Sequence, residues 1–132
     1  MKINTKFLMS ASALFMGLSG LSVSFFPQEI MRSAGVEPAV LPILVLQILG
    51  ALLLAFAMVN WMAKDILIGG IYSRPVAVGN FMHFMVGALA LIKGVLRNSD
   101  LSFLWVAALI YSALAVAFGM VIFMRPPIQE KK

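Results

Sequence analysis

Cysteine is absent from the 132 residues, and histidine occurs once, at position 83. Without thiols there is no disulfide, no thiolate nucleophile, no CxxC redox pair and no cysteine-ligated zinc or iron–sulfur cluster. Met82, His83 and Met85 offer thioether and imidazole groups of the kind that bind Cu(I). One histidine among ten methionines is nonetheless a poor metal site, because methionine is ordinary filler in apolar cores. Charge is scarce as well, at 11% of residues, against about a quarter in an average soluble domain. None of the acids (Glu29, Glu37, Asp65, Asp100, Glu130) lies within a long apolar run. Proton-coupled transport usually depends on such an intramembrane acid, so that class is demoted. No Ser/His/Asp set, P-loop or H-E-x-x-H motif occurs. Catalytic, metal and cofactor residues are therefore not assigned, no cofactor is named, and an enzymatic role is disfavoured.

What the chain does have is apolar length. Hydrophobic residues make up 62% of it, gathered into blocks with the charges confined between them. A soluble domain of this size has too much surface to hide so much apolar area. The blocks, residues 7–26, 43–62, 75–96 and 101–124, are each about the 20 residues that cross a bilayer as a helix. The predicted fold is all-α. A single integral membrane domain, residues 1–132, forms a four-helix transmembrane bundle with a short interfacial helix after helix 1. The net charge of +5 comes from basic residues scattered singly beside apolar blocks. That spread fits membrane topology and not phosphate binding, so nucleic acid is not an expected partner. The lipid bilayer is one, and another membrane protein is a further candidate.

Lys2 and Lys6 precede the first block and also fit a signal peptide. The run continues past the usual length of such a core, and no clean A-x-A site follows, so it is read as a helix. Its pairs Ala13/Gly17 and Gly20/Ser24 have the small-xxx-small spacing of a packed face. Between the first two blocks, 28–34 is too short to span and fits two turns of amphipathic helix lying at the interface, with Ile30 and Met31 dipping in and Gly35 at its C-terminus. Pro42 suits the first turn of helix 2. Residues 62–74 form a linker whose ILIGGIY piece extends helix 2 or enters the interface. Asp100 is placed to cap helix 4.

Helix 3 carries the most informative pattern. Asn80 and His83 are three apart and share a face, and Gly79, His83 and Gly87 form an i, i+4, i+8 row. Small residues admit a close neighbour, and polar side chains out of water need a partner. Both are therefore predicted to face the bundle interior. With helices 2 and 3 antiparallel, Asn60 falls at a similar depth, as do Ser10 and Ser12. Asn60, Asn80 and His83 form a candidate polar pocket. It serves either as interhelical hydrogen bonding that fixes packing or as a site where His83 titrates or binds a headgroup or quinone oxygen. A second polar level holds Gln47 and Ser22, read as a packing contact.

Basic residues fall seven to three between the two sides: Lys2, Lys6, Lys64, Arg74, Arg125, Lys131 and Lys132 against Arg32, Lys93 and Arg97. The bias predicts that both termini are cytoplasmic.

The order LFMGLSGLSVSFFP, then a loop ending near GVEP, then QILGALLL resembles the DoxX-like group of small four-helix bacterial membrane proteins. In that group helix 2 typically carries an acid followed by glycine and leucines. Here Gln47 stands in the acid's place, followed by Gly50, Leu53 and Leu54, so a role tied to the acid does not come with the resemblance. The resemblance implies a four-helix fold in a bacterial inner membrane and, as in some members, association with quinone-linked redox complexes. The expected function is that of a non-catalytic accessory or assembly partner. The alternative is a lipid- or quinone-binding subunit of a redox complex using the Asn60/Asn80/His83 level, and a channel or transporter comes third.

Overall fold

The computed structural model describes residues 4–66, 68, 70 and 72–124. Among these the regular elements are all helices: α1 (Thr5–Phe25), α2 (Pro27–Ser33), α3 (Val40–Ala63), α4 (Arg74–Arg97) and α5 (Ser102–Phe123). Four of them, α1, α3, α4 and α5, are long and apolar enough to cross a membrane, and α2 is the short helix predicted after the first span. Their ends lie close to the predicted ones. The largest shift is at α3, which starts at Val40, so that Pro42 is its third residue. An amide there would have no intrahelical acceptor, so proline costs no hydrogen bond. Leu67, Gly69 and Ile71 of the ILIGGIY piece lie outside the described residues, as do Lys2 and the basic residues after Met124.

Local chemistry explains the helix ends. Asn4 caps α1, its Oδ1 accepting from the amide of Phe7 at 3.1 Å. Pro27 has no amide hydrogen to continue α1 and instead opens α2. At the far end of α2, Gly35 has φ +72°, the Gly35 amide donates to Arg32 O at 3.0 Å, and the Val36 amide donates to Met31 O at 2.9 Å. This is the Schellman pattern, and it needs a left-handed residue that glycine supplies without strain. Asp100 does not act as predicted. Leu101 is the residue preceding α5, with no side-chain cap, and Asp100 contributes only its backbone oxygen, which accepts from the Ser102 amide at 3.2 Å. Met31 also departs from expectation. It is buried together with Pro27, one turn away on the same face of α2, which packs on α3. Glu29 and Arg32 are on the exposed face, where their charges stay solvated.

The chain divides into two compact units, residues 9–63 and residues 1–8 with 64–132. In the first, α1 and α3 run antiparallel through small residues. A Cβ on Gly20 would lie 3.0 Å from Gly50 O, one on Gly50 would lie 2.9 Å from Gly20 O and press on Ser24, and one on Gly17 would lie 3.6 Å from the Ala57 Cβ. The two backbones touch where neither helix carries a side chain, which is the predicted use of Gly17, Gly20 and Ser24. In the second unit α4 and α5 also run antiparallel. Phe81 meets Phe123 edge-on at 5.8 Å, and Phe84 stacks with Phe118 at 5.8 Å. The Lys6 Nζ donates to Asp65 Oδ1 at 2.7 Å, which places the start of α1 beside the turn after α3. With Phe123 next to Phe81, the end of α5 lies toward the start of α4.

Two outcomes follow from this geometry. Gly50→Val should loosen the α1/α3 crossing by about 2 kcal/mol or more, because the colliding atoms include backbone that cannot swing aside. Gly35→Ala should cost about 1 kcal/mol through its positive φ alone, since nothing lies within 4 Å of the added methyl. Thermal unfolding in a mild detergent measures both.

Candidate functional site

A polar side chain inside an apolar span is where chemistry or specific packing is to be sought. In the first unit that residue is Asn60. It is fully buried on α3, on the stripe that also buries Gly50, Leu53 and Ala57. Its Nδ2 donates to Ser12 Oγ on α1 at 3.1 Å and lies 3.7 Å from the Met16 sulfur. Ser12 donates in turn to Met9 O at 3.0 Å, so its hydroxyl gives one hydrogen bond and receives another. Ser12 was predicted at the depth of Asn60, and the pairing joins the two helices at one end of their contact. Toward the other end the two helices cross at Gly20 and Gly50, with Ser24 and Leu54 beside them.

In the second unit Asn80 is fully buried on α4 and donates its Nδ2 to Val76 O at 2.9 Å, one turn back on its own helix. His83 is half-buried, and its Nε2 stands 3.3 Å from the Tyr111 hydroxyl on α5. The imidazole packs edge-on against Phe84 at 5.1 Å and is tilted against Tyr111 at 5.5 Å, while Phe84 itself meets Tyr111 edge-on at 5.2 Å. The histidine thus sits at the rim of an aromatic cluster that Phe84 and Phe118 continue inward. Gly87 makes room for this. A Cβ there would come 2.5 Å from Tyr111 Cε1, so the tyrosine ring occupies the place of a missing side chain. The row through His83 and Gly87 was read as a face open to a close neighbour, and on that face the neighbour is Tyr111.

No motif or spacing in the sequence marks Tyr111. The signal that would have singled it out is the hairpin itself. Counting back from the short turn between α4 and α5 brings Tyr111 opposite Gly87, one turn along from His83.

The predicted pocket of Asn60, Asn80 and His83 takes Asn60 from one unit and Asn80 and His83 from the other. Within its own unit each has a defined partner: Ser12, Val76 and Tyr111 respectively. Gln47 and Ser22, the second polar level, are both exposed, and the Ser22 hydroxyl donates to Leu18 O at 2.9 Å. Ser112 behaves likewise, donating to Ala108 O at 2.7 Å. A serine in a helix readily satisfies itself this way when no partner is in reach. Among the described residues no group of three or more histidine, cysteine or acidic side chains is placed to hold a metal ion.

Four helices long and apolar enough to cross a membrane fit a small multi-pass membrane protein. Comparison with protein-family models, curated proteins and solved structures gives no match.

The Asn60–Ser12 contact should be measurable as a coupling. In a double-mutant cycle of Asn60→Ala and Ser12→Ala, the interaction energy should be about 0.6–1.7 kcal/mol by reversible unfolding in detergent. Strict additivity would mean that the pair contributes nothing. At the other site, Tyr111→Phe keeps the ring over Gly87 and removes only the hydroxyl. It should cost less than Tyr111→Ala, which also leaves a cavity and removes about 3 kcal/mol or more.

Proposed function

We propose that this protein is a non-catalytic accessory or assembly subunit of a bacterial inner membrane, with both termini in the cytoplasm. The observation that carries this reading is the Asn60–Ser12 hydrogen bond: the most deeply placed amide of α3 serves helix packing. Asn80 and Ser112 each donate to a carbonyl of their own helix. The faces left outward are rows of leucine, isoleucine, valine and methionine, such as Leu44, Ile48 and Leu52 on α3, which suit lipid or the span of another protein. The cytoplasmic orientation rests on the seven-to-three basic bias.

A second reading, a lipid- or quinone-binding subunit of a redox complex, is favoured by one feature. His83 and Tyr111 bring an imidazole nitrogen and a phenol together, half-buried, between two largely apolar helices. Such a pair can bind a carbonyl oxygen, and the resemblance to the DoxX-like group points to quinone-linked partners.

Extraction in mild detergent followed by native mass spectrometry separates the two. An accessory subunit should retain a second membrane protein at fixed stoichiometry. A quinone-binding subunit should retain a quinone that is lost in His83→Gln and Tyr111→Phe. A chain that emerges alone, with neither, overturns both. For the orientation, a reporter fused after Lys132 should be active only if it works in the cytoplasm. Activity of a periplasm-only reporter there reverses the topology.

A further inference from the structure

The basic bias is ordinarily read as a topology signal, but the structure gives one part of it a shape. Lys6 at the start of α1 is drawn onto Asp65 in the turn after α3, at 2.7 Å, with the two side chains 67% and 62% exposed. Lys64 precedes that acid in the chain, and Arg74 opens α4 after the same turn, with its side chain exposed. Phe7 and Tyr72, neighbours in sequence of Lys6 and Arg74, are also exposed, Tyr72 completely. Lys6 and Lys64 both act on Asp65, and these cations, with the exposed Arg74 and the exposed aromatics at helix ends, match the headgroup layer in both charge and polarity.

The charge count is one-sided in a way that topology alone does not require. On the side holding the N-terminus, the 64–74 turn and the C-terminus, basic residues exceed acidic ones by five. On the other side Arg32, Lys93 and Arg97 are balanced by Glu29, Glu37 and Asp100. On the topology proposed above, the whole net charge therefore lies at one membrane face. Acids contribute little to orientation, so a topology signal needs no such balance on the opposite side.

We infer that the rim formed by Lys6, Lys64 and Arg74 binds the headgroups of anionic phospholipids, with Asp65 as an internal competitor for Lys6. In a membrane of neutral lipid the Lys6–Asp65 pair is closed. An anionic headgroup offers Lys6 an alternative partner while Lys64 and Arg74 hold the phosphate. Each basic residue near such a surface is worth about a fivefold gain in affinity at low salt, falling as salt screens it.

The test uses the full chain in mild detergent, titrated by native mass spectrometry with phosphatidylglycerol and with phosphatidylcholine of the same acyl chains. The unmodified protein should prefer phosphatidylglycerol by fivefold or more. Lys64→Gln combined with Arg74→Gln should remove most of that preference. Asp65→Asn, which frees Lys6, should raise it. Lys93→Gln combined with Arg97→Gln, at the other end of α4, should leave it unchanged. Equal binding of the two lipids overturns the inference, as does a preference that survives the Lys64/Arg74 change, falls equally with the Lys93/Arg97 change, or fails to rise in Asp65→Asn. Thermal unfolding of each variant, expected within a few degrees of the parent, confirms that the folded protein is being compared.

Discussion

An amide in an apolar span has no water to turn to, and in this protein that constraint determines how the helices meet. Leaving Asn60 without a partner in hydrocarbon costs several kcal/mol. The amide of Asn60 therefore ends on Ser12, and the Ser12 hydroxyl passes its own hydrogen to Met9 O. The bond itself is modest, since helices separated in the bilayer also find partners for such groups. Its weight lies in direction. It specifies which face of α3 meets α1, where apolar character does not, because leucines and valines surround both helices.

The two helix pairs solve close packing differently. Between α1 and α3 the side chains are removed, and the backbones approach at Gly20 and Gly50. Between α4 and α5 the space is filled, with Phe84, Phe118 and Tyr111 interlocked and Gly87 and Gly119 notched to receive the rings of Tyr111 and Phe81. Without a hydrophobic drive between helices in lipid, both arrangements depend on dispersion, which requires intimate contact over many atoms. A glycine notch that admits an aromatic ring and a glycine crossing that admits a backbone are two routes to the same density.

The charged end obeys a different balance. The Lys6 ammonium, as hydrogen-bond donor and neighbouring charge, holds the Asp65 carboxyl below its ordinary value of 3.8. A carboxyl lowered on folding contributes stability above its unfolded value, and that contribution is lost as the pH falls through the lower, folded value. The pair is therefore intact at neutral pH and gives way only in strong acid. Being exposed, it contributes little to stability, and its consequence is positional: the start of α1 is fixed beside the turn after α3.

The sequence by itself determined the class. Span lengths follow from the thickness of the hydrocarbon layer, and Pro27, Pro42 and Gly35 act through backbone geometry that needs no neighbours, so the helices and the short α2 were legible within a few residues. The packed faces were legible too, because in a chain apolar all round the small and polar residues mark them. Gly17, Gly20, Ser24, Asn60 and Asn80 all stood out for that reason. What only the tertiary structure decided was the identity of partners. Asn80 bonding back to Val76, Tyr111 reaching His83, Met31 turning into protein and Asp100 leaving its helix uncapped each depend on rotamers and helix register. Hydrogen bonds act over about 3 Å, and a residue's place in a 20-residue span cannot be known from the chain to that precision. The sequence shows that a polar group in a membrane helix must be satisfied. Which atom satisfies it is settled only when two helices lock in register.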